Sequence, residues 1–425
     1  LVGLEVKGSR PLLPAEESLD ELALLAGTAG LYVAGRACQR VTRVNPATFV
    51  GAGKVEEIFA WVEELAVDVV IFDDELSPRH QRELEKALGG DVRILDRTAL
   101  ILDIFAQHAQ TREGALQVEL AQYEYRLPRL TRQWTHLVRQ AGGGSARGGV
   151  GGVGLRGPGE TQLETDRREI QRRISHLKAE LEAVRVHREH YRSRRARAGA
   201  SVVALVGYTN AGKSTLLNAL SGADVYVADQ LFATLDPTTR RVALSSGRVI
   251  LLSDTVGFIQ KLPATVVAAF RATLEEIGEA DVLLHVIDVT HPNALEQAEA
   301  VEDMLAELDV CDVPVLVALN KVDLVPDPEA LRSLQEVYPQ SVLVSALCGQ
   351  GLDVLLQRMD ALLGRELVWV RVLIPYEQGM LIARFHQVGS VHSARYVDDG
   401  VVIEGLLPAR DVARFEPFGQ KDLAG

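Results

Sequence analysis

Nine residues, Gly207-Tyr208-Thr209-Asn210-Ala211-Gly212-Lys213-Ser214-Thr215, constrain this chain more than any other stretch. They match G-x-x-x-x-G-K-[ST], the phosphate-binding loop. The flanks agree: Ser201-Val-Val-Ala-Leu-Val206 reads as a buried strand, and Thr215-Leu-Leu-Asn-Ala-Leu220 opens an amphipathic helix. Gly207 and Gly212 let the backbone curl so that successive N–H groups point at phosphate oxygens. The following helix adds the positive end of its dipole. Lys213 is placed to sit between the β- and γ-phosphates, and the Ser214 hydroxyl to hold Mg²⁺. A plain glycine-rich turn is the competing explanation; strand, helix and complete motif together argue against it.

Four downstream segments address the base and the switch. Asn320-Lys321-Val-Asp323 follows a strand, Val313-Pro-Val-Leu-Val-Ala-Leu319, and stands 107 residues after Lys213. N-K-x-D alone is short enough to arise by chance, but at this spacing it marks a GTPase. The Asp323 carboxylate can accept from guanine N1–H and the exocyclic amine together. Adenine offers neither donor, and a buried carboxylate left unpaired discriminates by about 10⁴-fold. Asn320 reads as a brace for the phosphate loop. Asp254-Thr255-Val256-Gly257 follows the strand Arg248–Ser253. Asp254 is the expected Mg²⁺-side acid, acting through water, and Gly257 can turn its N–H toward the γ-phosphate. Ser345-Ala346-Leu347, after Ser341–Val344, resembles the S-A-x loop that backs guanine. Between loop and Asp254 lies Phe232-Ala233-Thr234-Leu235-Asp236-Pro-Thr238-Thr239, the first switch segment. One of its threonines must reach Mg²⁺ and the γ-phosphate, and position alone leaves Thr234, Thr238 and Thr239 open. Lys213, Gly257 and this threonine are the candidate catalytic residues.

Two details refine the chemistry. Ras-like switches place a glutamine directly after D-x-x-G to orient the attacking water, whereas here that residue is Phe258. Slow intrinsic hydrolysis is expected, with help from a partner or another residue; elements supplied in trans are worth about 10³–10⁵ in rate. Asn210 can help coordinate K⁺ beside the phosphates, or it can simply cap the loop.

The chain has 425 residues and 47% apolar content, enough for two to four domains with well-formed cores. No apolar run reaches 18 residues and no signal-peptide pattern is present, so no membrane span is expected. Cys38, Cys311 and Cys348 are scattered and odd in number, which points to a reducing, cytoplasmic setting rather than a disulfide or zinc framework.

Residues 1–110 alternate strand-like and helix-like stretches, implying a small parallel sheet flanked by helices. Ser18 is placed to cap a helix through Leu25, and Leu31-Tyr-Val33 is a strand candidate. Val55–Leu65 reads as a helix, Val67–Phe72 as a buried strand, Ser77-Pro78 as the start of a helix through Leu88, and Val92–Leu95 as a further strand. Gly51-Ala-Gly53-Lys54 invites a second nucleotide site, but the motif is incomplete; a structural turn is preferred, with adenine-nucleotide or RNA binding as the alternative.

Residues 111–198 have the pattern of an antiparallel helical hairpin. Leu116, Leu120, Tyr123, Leu127, Leu130, Trp134 and Leu137 form one seam, with Pro128 expected to kink it; Leu163, Ile170, Ile174, Leu177, Leu181 and Val184 form the other. Between them, ten of the nineteen residues 141–159 are glycine, interrupted by Arg147 and Arg156. Residues 126–197 hold 17 Lys/Arg against 7 Asp/Glu in a chain whose net charge is −13. Arg167, Arg168, Arg172 and Arg173 crowd the second helix. A solvated charged face is the bland alternative, but positive charge concentrated on one projecting element of an acidic chain suits phosphate, as in RNA.

The fold class expected is α/β: a doubly wound P-loop domain over 199–364, preceded by the small α/β domain (1–110) and the hairpin (111–198), and followed by a small α/β domain (365–425). In that tail Leu367–Ile374 reads as a strand, Pro375 to about Phe385 as a helix, and Asp398-Asp399-Gly400 as a hairpin turn.

The order of these motifs resembles the HflX family of translational GTPases. The resemblance rests on Gly159-Glu-Thr-Gln-Leu-Glu-Thr-Asp-Arg-Arg168, Gly207–Thr215, Phe232-Ala-Thr-Leu-Asp236, Asp254-Thr-Val-Gly-Phe258 and Asn320–Asp323, and covers essentially the whole chain. It implies that Thr234 is the Mg²⁺ threonine and that Phe258 is the family's apolar residue after D-x-x-G. It further implies binding of GTP/GDP and of the large ribosomal subunit with its rRNA, with Gly142–Gly159 probing the peptidyl-transferase region, and splitting of stalled or idle ribosomes. Two other functions compete: a GTPase acting as a scaffold in ribosome assembly or RNA maturation, and ATP-dependent RNA remodelling through the N-terminal domain; a monomer is expected in each case.

Overall fold

The computed structural model describes residues 1–8, 13–89, 92–130, 158–198, 201–222, 231–232, 238–261, 263, 266, 277–278, 280–308, 310, 313–325, 328–365, 367–408, 412 and 414–419. By contact the chain divides into two compact units. The first comprises Leu1–Arg185, Ala228–Asp236 and Val256–Leu274; the second comprises Val186–Val227, Pro237–Thr255 and Glu275–Gly425.

The first unit opens as alternating strands and helices: β1 (Val2–Val6), α1 (Ala15–Thr28), β2 (Ala37–Val41), α2 (Ala52–Leu65), β3 (Val69–Phe72), α3 (Pro78–Ala87), β4 (Arg93–Asp96) and α4 (Arg97–His108). The strands form a parallel sheet of order β2-β1-β3-β4. β3 is a run of four apolar residues, as a strand covered on both faces requires. Val50, Phe72, Leu84 and Leu88 close the core around it. Ser77 caps α3, accepting from the His80 N–H at 3.2 Å.

Two expectations fail here. Leu31–Val33 is irregular, and the strand beside β1 is Ala37-Cys-Gln-Arg-Val41, whose polar residues suit the edge of the sheet. Ser18 is not a cap either. α1 begins at Ala15 behind Pro14, and Ser18 lies inside it, buried, with its hydroxyl donating to Asp73 Oδ2 at 2.7 Å.

The same unit contains α5 (Arg112–Arg126) and α6 (Pro158–Ala198, 41 residues) as far as Arg185; the rest of α6 is counted with the second unit. Leu116 and Leu120 pack with Leu177, flanked by Tyr123, Ile174 and Leu181. Arg112–Glu180 and Arg173–Glu119 pairs run in antiparallel order along this seam. α5 ends at Arg126, so Pro128 lies beyond the helix rather than kinking it. Trp134, Leu137, Arg147 and Arg156 fall outside the described residues, as does the glycine-rich segment up to Gly157.

The second unit is built on β5 (Val202–Val206), α7 (Lys213–Ser221), β6 (Thr238–Ala243), β7 (Val249–Asp254), β8 (Val282–Asp288), α8 (Ala294–Glu307), β9 (Val315–Asn320), α9 (Arg332–Val337), β10 (Val342–Leu343) and α10 (Leu352–Arg365). The sheet order is β10-β9-β8-β5-β7-β6, parallel except for the β6–β7 pair. Helices α7 and α10 pack on one face through Leu216, Leu217, Leu355 and Met359; α8 and α9 pack through Ala298 and Leu334 in a second cluster with Ile287 and Leu319. Ligand-bearing loops therefore fall at the carboxyl ends of the parallel strands. β11 (Leu367–Ile374), α11 (Gly379–Val388), β12 (Ser390–Val397) and β13 (Gly400–Pro408) complete the unit as an antiparallel β11-β13-β12 sheet whose core includes Phe385 and Phe415. Among the described residues no helix is long and apolar enough to cross a membrane.

Candidate nucleotide site

The loop between β5 and α7 curls at positions that only glycine can hold. Gly207 has φ 151°, and a Cβ there would lie 2.3 Å from the Val286 carbonyl oxygen. Gly212 has φ 91°, and a Cβ there would lie 2.3 Å from Asn320 Nδ2. Asn210 also takes a positive φ, 61°, which asparagine tolerates better than most residues. Tyr208, Thr209 and Ala211 are buried. Lys213 is buried as well, and its Nζ donates to the Gly207 carbonyl at 3.0 Å and the Tyr208 carbonyl at 2.7 Å. Burial lowers its pKa to about 8, against an opposing pull from Asp254. The ammonium thus lies folded into the loop.

Asp254 ends β7 and is 1% exposed. Its Oδ2 accepts from Ser214 Oγ at 2.6 Å. A hydroxyl and a carboxylate side by side at a helix start are hard oxygen donors, the set that suits Mg²⁺. Thr255, also buried, is used structurally: its hydroxyl donates to the Leu205 carbonyl. Thr215 is partly buried in the first turn of α7.

On the base side, one carboxamide ties three loops together. Asn320 Nδ2 donates to the Ala211 carbonyl at 2.9 Å, and its Oδ1 accepts from the Ala346 N–H at 3.0 Å. Lys321 leaves β9 with φ 69°, and Asp323 follows, exposed, in the 3₁₀ turn Val322–Leu324. Ser345 is buried, its Oγ accepting from the Cys348 N–H at 3.0 Å, while Leu347 stands 80% exposed. The phosphate loop, Asp254, the N-K-x-D turn and the S-A-L loop are thereby brought together at one edge of one sheet.

Ala233, Thr234, Leu235 and Asp236 fall outside the described residues. Thr238 and Thr239 are in the β6–β7 ladder, Thr238 in register with Asp254 and Thr239 Oγ1 3.2 Å from Ser253 Oγ. Phe232, Val256 and Gly257 belong to the first unit. Phe232 is buried edge-on against Phe105 of α4, ring centres 4.6 Å apart. Phe258 is buried too; just beyond it, Gln260 Nε2 donates to Ser18 Oγ at 2.9 Å, and Lys261 pairs with Asp73 and, at 2.8 Å, with Asp74. Sequence reasoning missed these partners because nothing local marks them.

Among the arginines of α6, Arg167, Arg168 and Arg172 are exposed, with Arg168 paired to Glu164. Arg173 is also used within the hairpin: its Nε and Nη2 each donate to Glu119 at 2.9 Å. The second glycine-lysine motif forms a plain helix start. None of residues 51–54 takes a positive φ, Gly51 N–H donates to Gln39 Oε1 at 2.9 Å, and Lys54 pairs with Glu57 at 2.7 Å.

Comparison with known proteins agrees with this geometry. Residues 16–106 match a family described as GTP-binding GTPase N-terminal, 108–195 one described as GTP-binding GTPase middle region, and 202–321 one described as 50S ribosome-binding GTPase. The chain is 45% identical to GTPase HflX of Escherichia coli over 404 residues, covering 94% of this chain and 91% of that protein. It is 47% identical to GTPase HflX of Caldanaerobacter subterraneus over 403 residues, covering 95% and 90%. The chain belongs to the HflX family of GTPases. It is a P-loop enzyme that binds GTP and hydrolyses it. A solved GTP-binding protein from Sulfolobus solfataricus in complex with GDP aligns over 85% of this chain and 97% of its own, at 25% identity and a TM-score of 0.43.

Proposed function

We propose that this HflX-family GTPase binds the large ribosomal subunit through its rRNA and uses GTP-dependent switching to split or rescue stalled or idle ribosomes. The observation that carries the reading is the union, in one chain, of a guanine-nucleotide site with a long hairpin of exposed arginines. The match to a family described as 50S ribosome-binding GTPase supports the same partner. In this reading 1–110 is an accessory domain, 111–198 the RNA probe, 199–364 the switch and 365–425 a docking module. The protein acts as a monomer in the cytoplasm.

In this reading the site residues divide the work. Lys213 would exchange its two loop carbonyls for phosphate oxygens. Ser214, and Asp254 through water, would hold Mg²⁺, which supplies charge neutralisation at the β- and γ-phosphates. Thr234 would complete that cation's shell, and Gly257 would turn its N–H to the γ-phosphate. Asp323 would read guanine, with Ala346 and Leu347 behind it. Potassium at Asn210 belongs to the same reading. Phe258 cannot orient water, so the ribosome would complete the active site.

Deleting Gly142–Gly159 tests the probe. The variant is expected to bind GDP as the full chain does and to lose all action on ribosomes. Undiminished ribosome splitting without those residues would refute the role. An ATP-driven function of the N-terminal domain gains no support from the plain helix start at residues 51–54. A role in ribosome assembly predicts subunit binding with no splitting.

A further inference from the structure

The turn that carries the base-reading carboxylate does not hold itself in place. Asp323 sits in a three-residue 3₁₀ turn, and such a turn has little rigidity of its own. It hangs from Lys321, whose backbone is in the left-handed region that side-chain-bearing residues adopt only when their surroundings enforce it. An enforcing contact is present. Lys321 Nζ pairs with Asp288 Oδ2 at 2.6 Å, with 25% of the lysine side chain and 14% of the aspartate side chain exposed.

Asp288 is itself fixed. It ends β8, in register with Asn320 on β9, and the Val289 N–H donates to the Asn320 carbonyl at 3.1 Å. Its Oδ1 accepts from both the Thr290 N–H, at 2.9 Å, and the Thr290 hydroxyl, at 2.6 Å. Closing the end of β8 occupies only this oxygen. The other is directed across the strand gap to Lys321. An anchored carboxylate largely withdrawn from water holds its partner more firmly than an exposed one does.

We propose that Asp288 is a positioning residue for guanine recognition: through Lys321 it fixes the turn that presents Asp323 to the base. The inference rests on Asp323 being the base reader. Asp288→Asn isolates the effect, because the amide oxygen still accepts from Thr290 while the charge that holds Lys321 is gone.

The test is a set of equilibrium dissociation constants for GDP and inosine diphosphate, which lacks the exocyclic amine. Asp288→Asn is expected to weaken GDP about fivefold, the size of a partly buried ion pair. It is expected to weaken inosine diphosphate less, so that preference for GDP shrinks. Lys321→Met should do the same, and the double variant should lose no more than either single one. An unchanged GDP preference in either single variant, or fully additive losses in the double, overturns the proposal. Should Asp288→Asn fail to fold, Lys321→Met alone decides. Asp323→Asn is measured beside them and should favour xanthosine diphosphate over GDP. If it still favours GDP, the base-reader assignment fails and takes the inference with it, a result distinct from failure of Asp288 alone.

Discussion

His285 lies on β8 beside the phosphate-loop strand, in register with Val206, and is 1% exposed. Its Nδ1 has no hydrogen-bond partner among the described residues. Burial, reinforced by the charge of Lys213, lowers its pKa to about 4 from the ordinary 6.5. The sign of the consequence is fixed. Above pH 6.5 the ring is neutral folded or unfolded and has no effect. As pH falls below 6.5 the unfolded chain takes up a proton that the folded chain refuses, so stability declines down to pH 4, by about 3 kcal/mol in all. Urea unfolding between pH 7.5 and 4.5 should show this slope, and His285→Leu should flatten it by that amount. Identical slopes for the two proteins would contradict a buried neutral histidine. Nothing in the sequence singles out His285, because a histidine in an apolar strand carries no pattern of its own. The loop glycines were legible for the opposite reason. The backbone conformation they permit is a local requirement, and local requirements are what a motif records.

At the scale of elements, the strongest constraint in the first unit is the cluster around Asp73, at the carboxyl end of β3. Its carboxylate takes the Ser18 hydroxyl from α1, the guanidinium of Arg97 from α4 at 2.7 Å, and the ammonium of Lys261. Arg97, 1% exposed, also pairs with Glu21. Removing one partner from a buried charge cluster leaves the rest uncompensated, and Asp73→Asn is expected to cost roughly 3–5 kcal/mol. Lys261→Met should cost about 1 kcal/mol or less, since its side chain is a third exposed. Chemical denaturation of both variants checks the ordering, and a larger loss at Lys261 would contradict it. None of this was readable beforehand. Ser18, Asp73, Arg97 and Lys261 are far apart in sequence, and a reader restricted to local signals takes Ser18 for a helix cap. β2 escaped notice for a related reason: edge strands can be polar, so Ala37–Val41 lacks the apolar run that exposed β3. The hairpin seam was legible because Leu116, Leu120 and Leu177 obey helical spacing.

At the scale of the whole molecule, the chain separates its tasks by charge and by backbone. Its net charge is −13, yet 17 of its basic residues lie between 126 and 197. Three loops at one edge of the six-stranded sheet are tied together through Asn320. The residue after D-x-x-G, Phe258, is apolar and buried, so it cannot align water itself. The architecture of the nucleotide-binding sheet was legible from motif order, because each ligand loop follows a strand and the strands can be counted between loops. What Phe258 implies about rate follows from chemistry, and the partner that relieves it is the central claim. GTP turnover measured with and without purified large ribosomal subunits, in potassium buffer, tests that claim most directly. The account predicts a slow basal rate and a stimulation on the order of 10³-fold, the scale of catalytic elements supplied in trans. A fast basal rate that large subunits leave unchanged would contradict it, and would mean that the active site is complete without the ribosome.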